Sequence, residues 1–193
     1  MARGKMLMWA LVVALGTAGT ASAARRDDKP GDVKVFLKGG VGNYTGGLAN
    51  VVNAGPTWGL TLNLQPLHFL GFEVGYEGGY NGISSGPLDL GVTRHGGSAL
   101  VKLALPFIEV VKPFVGAGIG ASYLSVDGAI VGSYGSDFVG EVPLVAGIEF
   151  NVESITAGAR ATYRLLLDEN LSRQLDRPQG GFFDVALTLG LRF

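Results

Sequence analysis

The sequence predicts an all-β chain: an eight-stranded antiparallel up-and-down barrel that crosses a membrane. Three observations carry this. Apolar residues recur at every second position in eight separate segments, the period of a strand whose successive side chains point to opposite faces. Connections between the segments alternate short and long, as in a meander of hairpins, and no long one carries the apolar stripe of a helix. The face opposite the apolar rows is mostly Gly, Ser and Thr with a few charges, which suits a crowded interior better than a wetted exterior.

The eight segments follow in order. Val33, Val35 and Leu37 oppose Lys34 and Lys38. Trp58, Leu60, Leu62 and Leu64 oppose Thr57, Gly59, Thr61 and Asn63. In 69–80, Leu70, Phe72, Val74 and Tyr76 oppose Gly71, Glu73, Gly75 and Glu77. Ala99, Val101, Leu103 and Leu105 oppose Ser98 and Lys102. Val115, Ala117, Ile119, Ala121 and Tyr123 oppose Gly116, Gly118, Gly120 and Ser122. The weakest alternation is 138–150, where Val142, Leu144, Ala146 and Ile148 oppose Glu141, Pro143, Gly147 and Glu149. Pro143 lacks an N–H for a ladder, so a bulge is expected there. Ile155, Ala157, Ala159, Ala161, Tyr163 and Leu165 oppose Thr156, Gly158, Arg160, Thr162 and Arg164. The chain closes with Phe183, Val185, Leu187, Leu189, Leu191 and Phe193 against Asp184, Thr188, Gly190 and Arg192.

Residues 65–68, 106–112 and 151–154 are the short connections; 43–56, 81–93, 126–137 and 168–181 are the long ones. Aromatic residues collect at the strand ends. Trp58, Tyr76, Tyr80, Tyr123, Tyr163, Phe182 and Phe183 lie near the long connections, and Phe69, Phe107, Phe114, Phe150 and Phe193 near the short ones. Two such girdles are what two membrane interfaces select. The competing reading is a soluble, lipocalin-like barrel holding an apolar ligand, its greasy rows turned inward; so few charges on the polar rows argue against it.

Composition removes other classes. Of 193 residues, 47% are apolar and 16% charged, too greasy for disorder. The 32 glycines show no collagen period. Fifteen Lys plus Arg against 16 acids leave no basic surplus, so no nucleic-acid partner is expected. The absence of cysteine excludes disulfides, thiolate metal sites and a cysteine nucleophile.

Residues 1–23 read as a secretory signal: Arg3 and Lys5, an apolar run over 6–16, then Ala21 and Ala23 flanking Ser22 before the expected cut. Such a run is too short to span a bilayer as a helix. Residues 24–31 are expected to be a flexible leader, and 32–193 the barrel domain.

The signal, the eight hairpin strands, the Lys112-Pro113-Phe114-Val115-Gly116-Ala117-Gly118 stretch and the ending Ala186-Leu187-Thr188-Leu189-Gly190-Leu191-Arg192-Phe193 together resemble the OmpA-like/OmpX-like outer-membrane β-barrel proteins of Gram-negative bacteria. The resemblance covers essentially all of the chain after the signal. It implies location in the outer membrane among its lipids, long connections facing outward, and recognition of the last strand by the barrel-assembly machinery, with Leu189, Leu191 and Phe193 as the signal.

The lumen is where chemistry is expected. Glu73 and Glu77 share the inward row of strand three, Arg160 and Arg164 that of strand seven, and Lys102 and Glu149 stand on walls between. Strands three and seven of an eight-membered ring face each other, and buried charges persist only when paired, so these six residues are expected to form an ion-pair cluster. It serves either as a rigid plug or as the gate of a narrow ion or small-solute channel; eight-stranded interiors are typically filled, which favours the plug.

No catalytic, cofactor or metal site is assigned. Glu73 and Glu77 lie ~13 Å apart along a strand, beyond glycosidase spacing. An outer-membrane lipid-modifying hydrolase needs a histidine beside its serine, but strand geometry puts His95 and Ser98 on opposite faces, and His68 lies in a short turn. The acids Asp127, Asp137, Asp168, Glu169 and Asp176 have no ligand spacing. The alternating glycines of 116–120 precede no helix, so they form no dinucleotide loop. The expected role is structural or interactional, through four long outward loops that could bind a surface ligand, in a monomer.

Overall fold

The computed structural model describes residues 30–83, 90–105, 111–127, 137–152, 154–167 and 180–193. Eight strands follow in chain order: β1 (Asp32–Tyr44), β2 (Gly55–Leu67), β3 (Leu70–Ile83), β4 (Leu90–Ala104), β5 (Val111–Asp127), β6 (Asp137–Val152), β7 (Ile155–Leu167) and β8 (Gly181–Arg192). Each pairs antiparallel with its neighbour, and β8 returns to β1, so the sheet is a closed barrel. Closure leaves no free edge, the condition for a sheet to stand in hydrocarbon.

The ring is staggered. Following partners from Val33 through Leu64, Phe72, Val101, Ala117, Leu144, Tyr163 and Phe183 returns to β1 at Asn43, ten residues further on. That shear goes with strands tilted by roughly 40° and a lumen just wide enough for side chains.

The apolar rows face outward. Leu37, Leu60, Val74, Ile119, Val185 and Leu187 are among the exposed residues, whereas Lys34, Asn63, Glu73, Lys102, Arg164 and Asp184 are buried inside. A soluble barrel with a greasy interior is thereby excluded. Phe183 on β8 and Phe193 just past its end, ten residues apart, are both exposed; at ~3.3 Å per residue and this tilt they stand ~25 Å apart along the barrel axis, the height of a membrane barrel's apolar band.

Several expectations need correction. The strands run to 12–17 residues, longer than their alternating segments, because Gly-rich ends without apolar alternation still pair. Pro143 makes no bulge. Its register against β7 is continuous, and against β5 only the pairs between Ala117–Leu144 and Gly120–Glu141 lapse. Those two pairs need a Pro143 N–H, so the proline costs one hydrogen bond to Gly118 without shifting the strand. The register shift falls instead between Leu64 and Leu67, beside Pro66. Phe182 and Phe114 leave the girdles: both point into the lumen, 0% and 4% exposed, because they neighbour the outward Phe183 and Val115 and parity turns them in. Phe107 and the signal residues Ala21 and Ala23 lie outside the described residues.

Candidate functional site in the barrel lumen

The inward rows bring together a charged interior in two levels. Nearer the short turns, Arg160 Nη2 donates to Glu73 Oε2 at 2.7 Å, and Lys102 Nζ lies 3.0 Å from Glu73 Oε1 and 2.7 Å from Glu149 Oε1. Lys34 reaches Glu149 Oε2 at 3.5 Å, and Asn63 donates to Glu73 at 3.1 Å. Three bases here face two acids. Lys102 and Arg160 also lie over the ring of Phe114, at 5.0 and 5.6 Å from its centroid. Beside this level, Phe114 packs with Leu100 and Val145.

Nearer the long connections, Lys38 Nζ donates to Glu77 Oε1 at 2.6 Å and to Asp184 Oδ2 at 3.4 Å. Arg94 holds both carboxylate oxygens of Glu141, at 3.0 and 2.8 Å. Arg164 is the hub: it pairs with Glu77 and Asp184, and its Nε lies 3.6 Å from Glu141. Three bases meet three acids. Paired and hydrogen-bonded to this extent, such charges avoid most of the penalty of burial.

Above this level the outer mouth is apolar. Tyr44, Val52, Val139, Leu166 and Phe182 form one buried cluster, with Leu48, Ile83, Val92 and Leu124 against it. Leu48 and Val52 come from the first long connection, which folds inward through one 3-10 turn, Gly46–Asn50. Asn81, fully buried on β3, fixes that connection by donating to Gly42 O at 3.0 Å and Asn53 O at 2.8 Å. Phe182 faces down onto the charges, with Arg94 and Arg164 at 5.1 and 5.7 Å from its ring, a cation–π arrangement that a desolvated site strengthens.

All six lumen residues expected from the sequence point inward, but they divide. Glu73, Lys102, Glu149 and Arg160 belong to the lower level; Glu77 and Arg164 belong to the upper. Lys34, Lys38, Arg94, Glu141 and Asp184 complete the two networks. Four of these stand on polar rows visible in the sequence, and parity alone could have added them. Arg94 sits between the connection read at 81–93 and the apolar row that begins at Ala99, where the Arg-His-Gly-Gly run breaks the alternation. His95 is exposed while Ser98, three residues on, belongs to the inward row of β4. Leu189, Leu191 and Phe193 all face outward. Among the described residues no group of three or more His, Asp or Glu is placed to hold a metal ion. Asp168, Glu169 and Asp176, like the side chains of Asp127 and Asp137, lie outside the described residues.

No family model matches the chain, and no curated protein sequence does. Solved structures do. Neisserial surface protein A superposes with a TM-score of 0.63 at 17% identity, covering 84% of this chain and 99% of that one. Ail, the attachment invasion locus protein of Yersinia pestis, gives 0.59 at 14%, covering 86% and 100%. The outer membrane protein OprG from Pseudomonas aeruginosa gives 0.58 at 14%, covering 86% and 97%. At these identities the likeness is one of fold: this chain has the fold of small outer-membrane barrels.

Proposed function

We propose that the chain is an integral outer-membrane protein whose rigid, charge-filled barrel presents its long connections at the cell surface, in a structural or surface-interaction role. The observation that carries the reading is the inversion of the barrel: an apolar exterior around a lumen of paired charges. A soluble protein could not expose the first, and only a closed wall could shelter the second. Residues 1–23 fit export, and the outward Leu189, Leu191 and Phe193 on the closing strand fit recognition by the assembly machinery. An apolar belt suits a monomer among lipids. An external ligand has a parallel in Ail, solved in complex with the heparin analogue sucrose octasulfate.

The channel alternative needs a wet path. The apolar cluster over the outer mouth and the two ion-pair networks beneath it oppose one, since a constriction of this kind excludes water and ions. The same features favour a structural over a catalytic role.

Electrophoresis of the washed outer-membrane fraction, unboiled against boiled, tests the reading. A closed barrel resists cold detergent and shifts on heating. Absence of a shift, with the protein free in the periplasmic wash, overturns it.

A further inference from the structure

The outer wall of the barrel carries one imidazole in an unusual setting. The Tyr76 hydroxyl, on β3, lies 2.6 Å from Nδ1 of His95, on β4, and the two rings stack with centroids 6.1 Å apart. Both side chains are exposed. An ionisable group on a lipid-facing wall is expensive at mid-depth and tolerated near the interface, and His95 stands at the level of the outer aromatic girdle. It lies directly between Gly78 of β3 and Tyr123 of β5. The Trp58 ring lies across Gly78, where any Cβ would collide with its nitrogen-bearing edge; glycine there leaves the indole its place over β3, beside the position that pairs with His95. Four adjacent strands thus gather an indole N–H, an imidazole and two phenols in one patch. Across the barrel, the exposed aromatic residues at the outer ends of β6 and β8 are Phe138 and Phe183, which carry no donor, and the half-buried Tyr163 of β7 has its hydroxyl 3.3 Å from Thr45 Oγ1.

An aromatic girdle by itself needs amphipathic rings at the interface, not donors collected on one side. With Nδ1 taken by Tyr76, the Nε2 edge is left for an outside partner. When the Tyr76 hydroxyl donates, the neutral ring carries its proton on Nε2, and the protonated ring carries one there too. Among the described side chains, no carboxylate shares the outer face of β2 to β5.

We propose that His95, with Trp58, Tyr76 and Tyr123, binds a phosphate-bearing lipid of the surrounding leaflet. A phosphate oxygen accepts from His95 Nε2 and the neighbouring ring donors, while the acyl chains lie along Val74, Ala99 and Ile119 further down the wall. The inference rests on the membrane reading above. Its occupant is a lipid rather than free phosphate because the wall below the donors is apolar.

The test is native mass spectrometry of the full chain released from phosphatidylcholine nanodiscs doped with a minor fraction of phosphatidic acid. The wild type should retain phosphatidic acid in preference to phosphatidylcholine. His95→Ala should lower that retention by about tenfold, the scale of one hydrogen bond to a charged group. Tyr76→Phe should lower it less, and His95→Gln, which keeps a donor, should recover part of it. Retention in His95→Ala within about twofold of wild type overturns the proposal, as does equal retention by the wild type of a sugar-headed lipid without phosphate. The heat-dependent electrophoretic shift of the same samples reports insertion independently, so loss of the lipid site and failure of the membrane reading give different results.

Discussion

Replacing Arg164 by alanine tests whether the lumen works as paired networks. Arg164 contacts all three acids of the upper level, Glu77, Asp184 and Glu141. Its removal leaves Lys38 and Arg94 to neutralise three buried carboxylates. Arg94 holds Glu141 at 2.8 Å and reaches Glu77 only at 4.0 Å, so Lys38 must then serve Glu77 at 2.6 Å and Asp184 at 3.4 Å. Asp184 is 1% exposed and loses its nearer partner. Stranding one buried carboxylate costs about 3–5 kcal/mol. Arg160→Ala is the control that the structure supplies. Glu73 keeps Lys102 at 3.0 Å and Asn63 at 3.1 Å, and the lower level passes from three bases and two acids to an even balance. Its cost should be about 1–2 kcal/mol, near that of a lost hydrogen bond to a charged group. The assay is equilibrium urea unfolding in lipid vesicles, comparing midpoints at unchanged slope. A gap of about 2 kcal/mol is a factor of roughly 30 in the folding equilibrium, well resolved. The double variant Arg164→Met with Asp184→Asn should recover part of the loss, because it removes the stranded charge with its partner. Equal shifts for Arg164→Ala and Arg160→Ala, or a shift under about 1 kcal/mol for Arg164→Ala, would refute the reasoning.

Other outcomes follow from the same geometry. Purified protein in planar bilayers should pass no steady current, and a reproducible single-channel conductance would count against a filled lumen beneath an apolar mouth. A Cβ at Gly118 would collide with the Ala99 carbonyl, whereas Gly39 has nothing within 4 Å; Gly118→Ala should cost about 1–3 kcal/mol and Gly39→Ala little, read as the folded fraction on unboiled gels. Pro143→Ala restores an N–H aimed at Gly118 and should leave stability unchanged or raise it by up to about 1 kcal/mol, against the loss expected if the proline shaped a bulge. Phe182→Ala removes a ring buried between the mouth cluster and two guanidinium groups; a loss of about 3–5 kcal/mol is expected in the urea assay.

Much of this barrel was legible residue by residue. Glu73 next to Val74, or Arg160 next to Ala161, is assigned to its face by strand parity alone, since alternation is a property of the extended backbone and needs no partner. The same rule, applied to neighbours rather than to clusters of type, would have turned Phe182 and Phe114 inward. Arg94 was hidden because a strand end with no apolar partner row offers no alternation by which to assign its face. The mouth cluster was hidden for a related reason: Leu48 and Val52 lie in a segment without periodicity, and only contact with Tyr44, Val139 and Phe182 gives them a role.

The sequence by itself determined that the chain makes a two-faced sheet, which face is greasy, where it turns tightly, and which charges lie on the small-residue face. All of these depend on residues close together along the chain. Only the tertiary structure decided which charges meet. Glu73 finds Arg160 and Glu77 finds Arg164 because eight registers close with a stagger of ten residues, and that sets the heights of opposite walls. No single hairpin fixes this quantity, since it exists only once β8 has paired with β1.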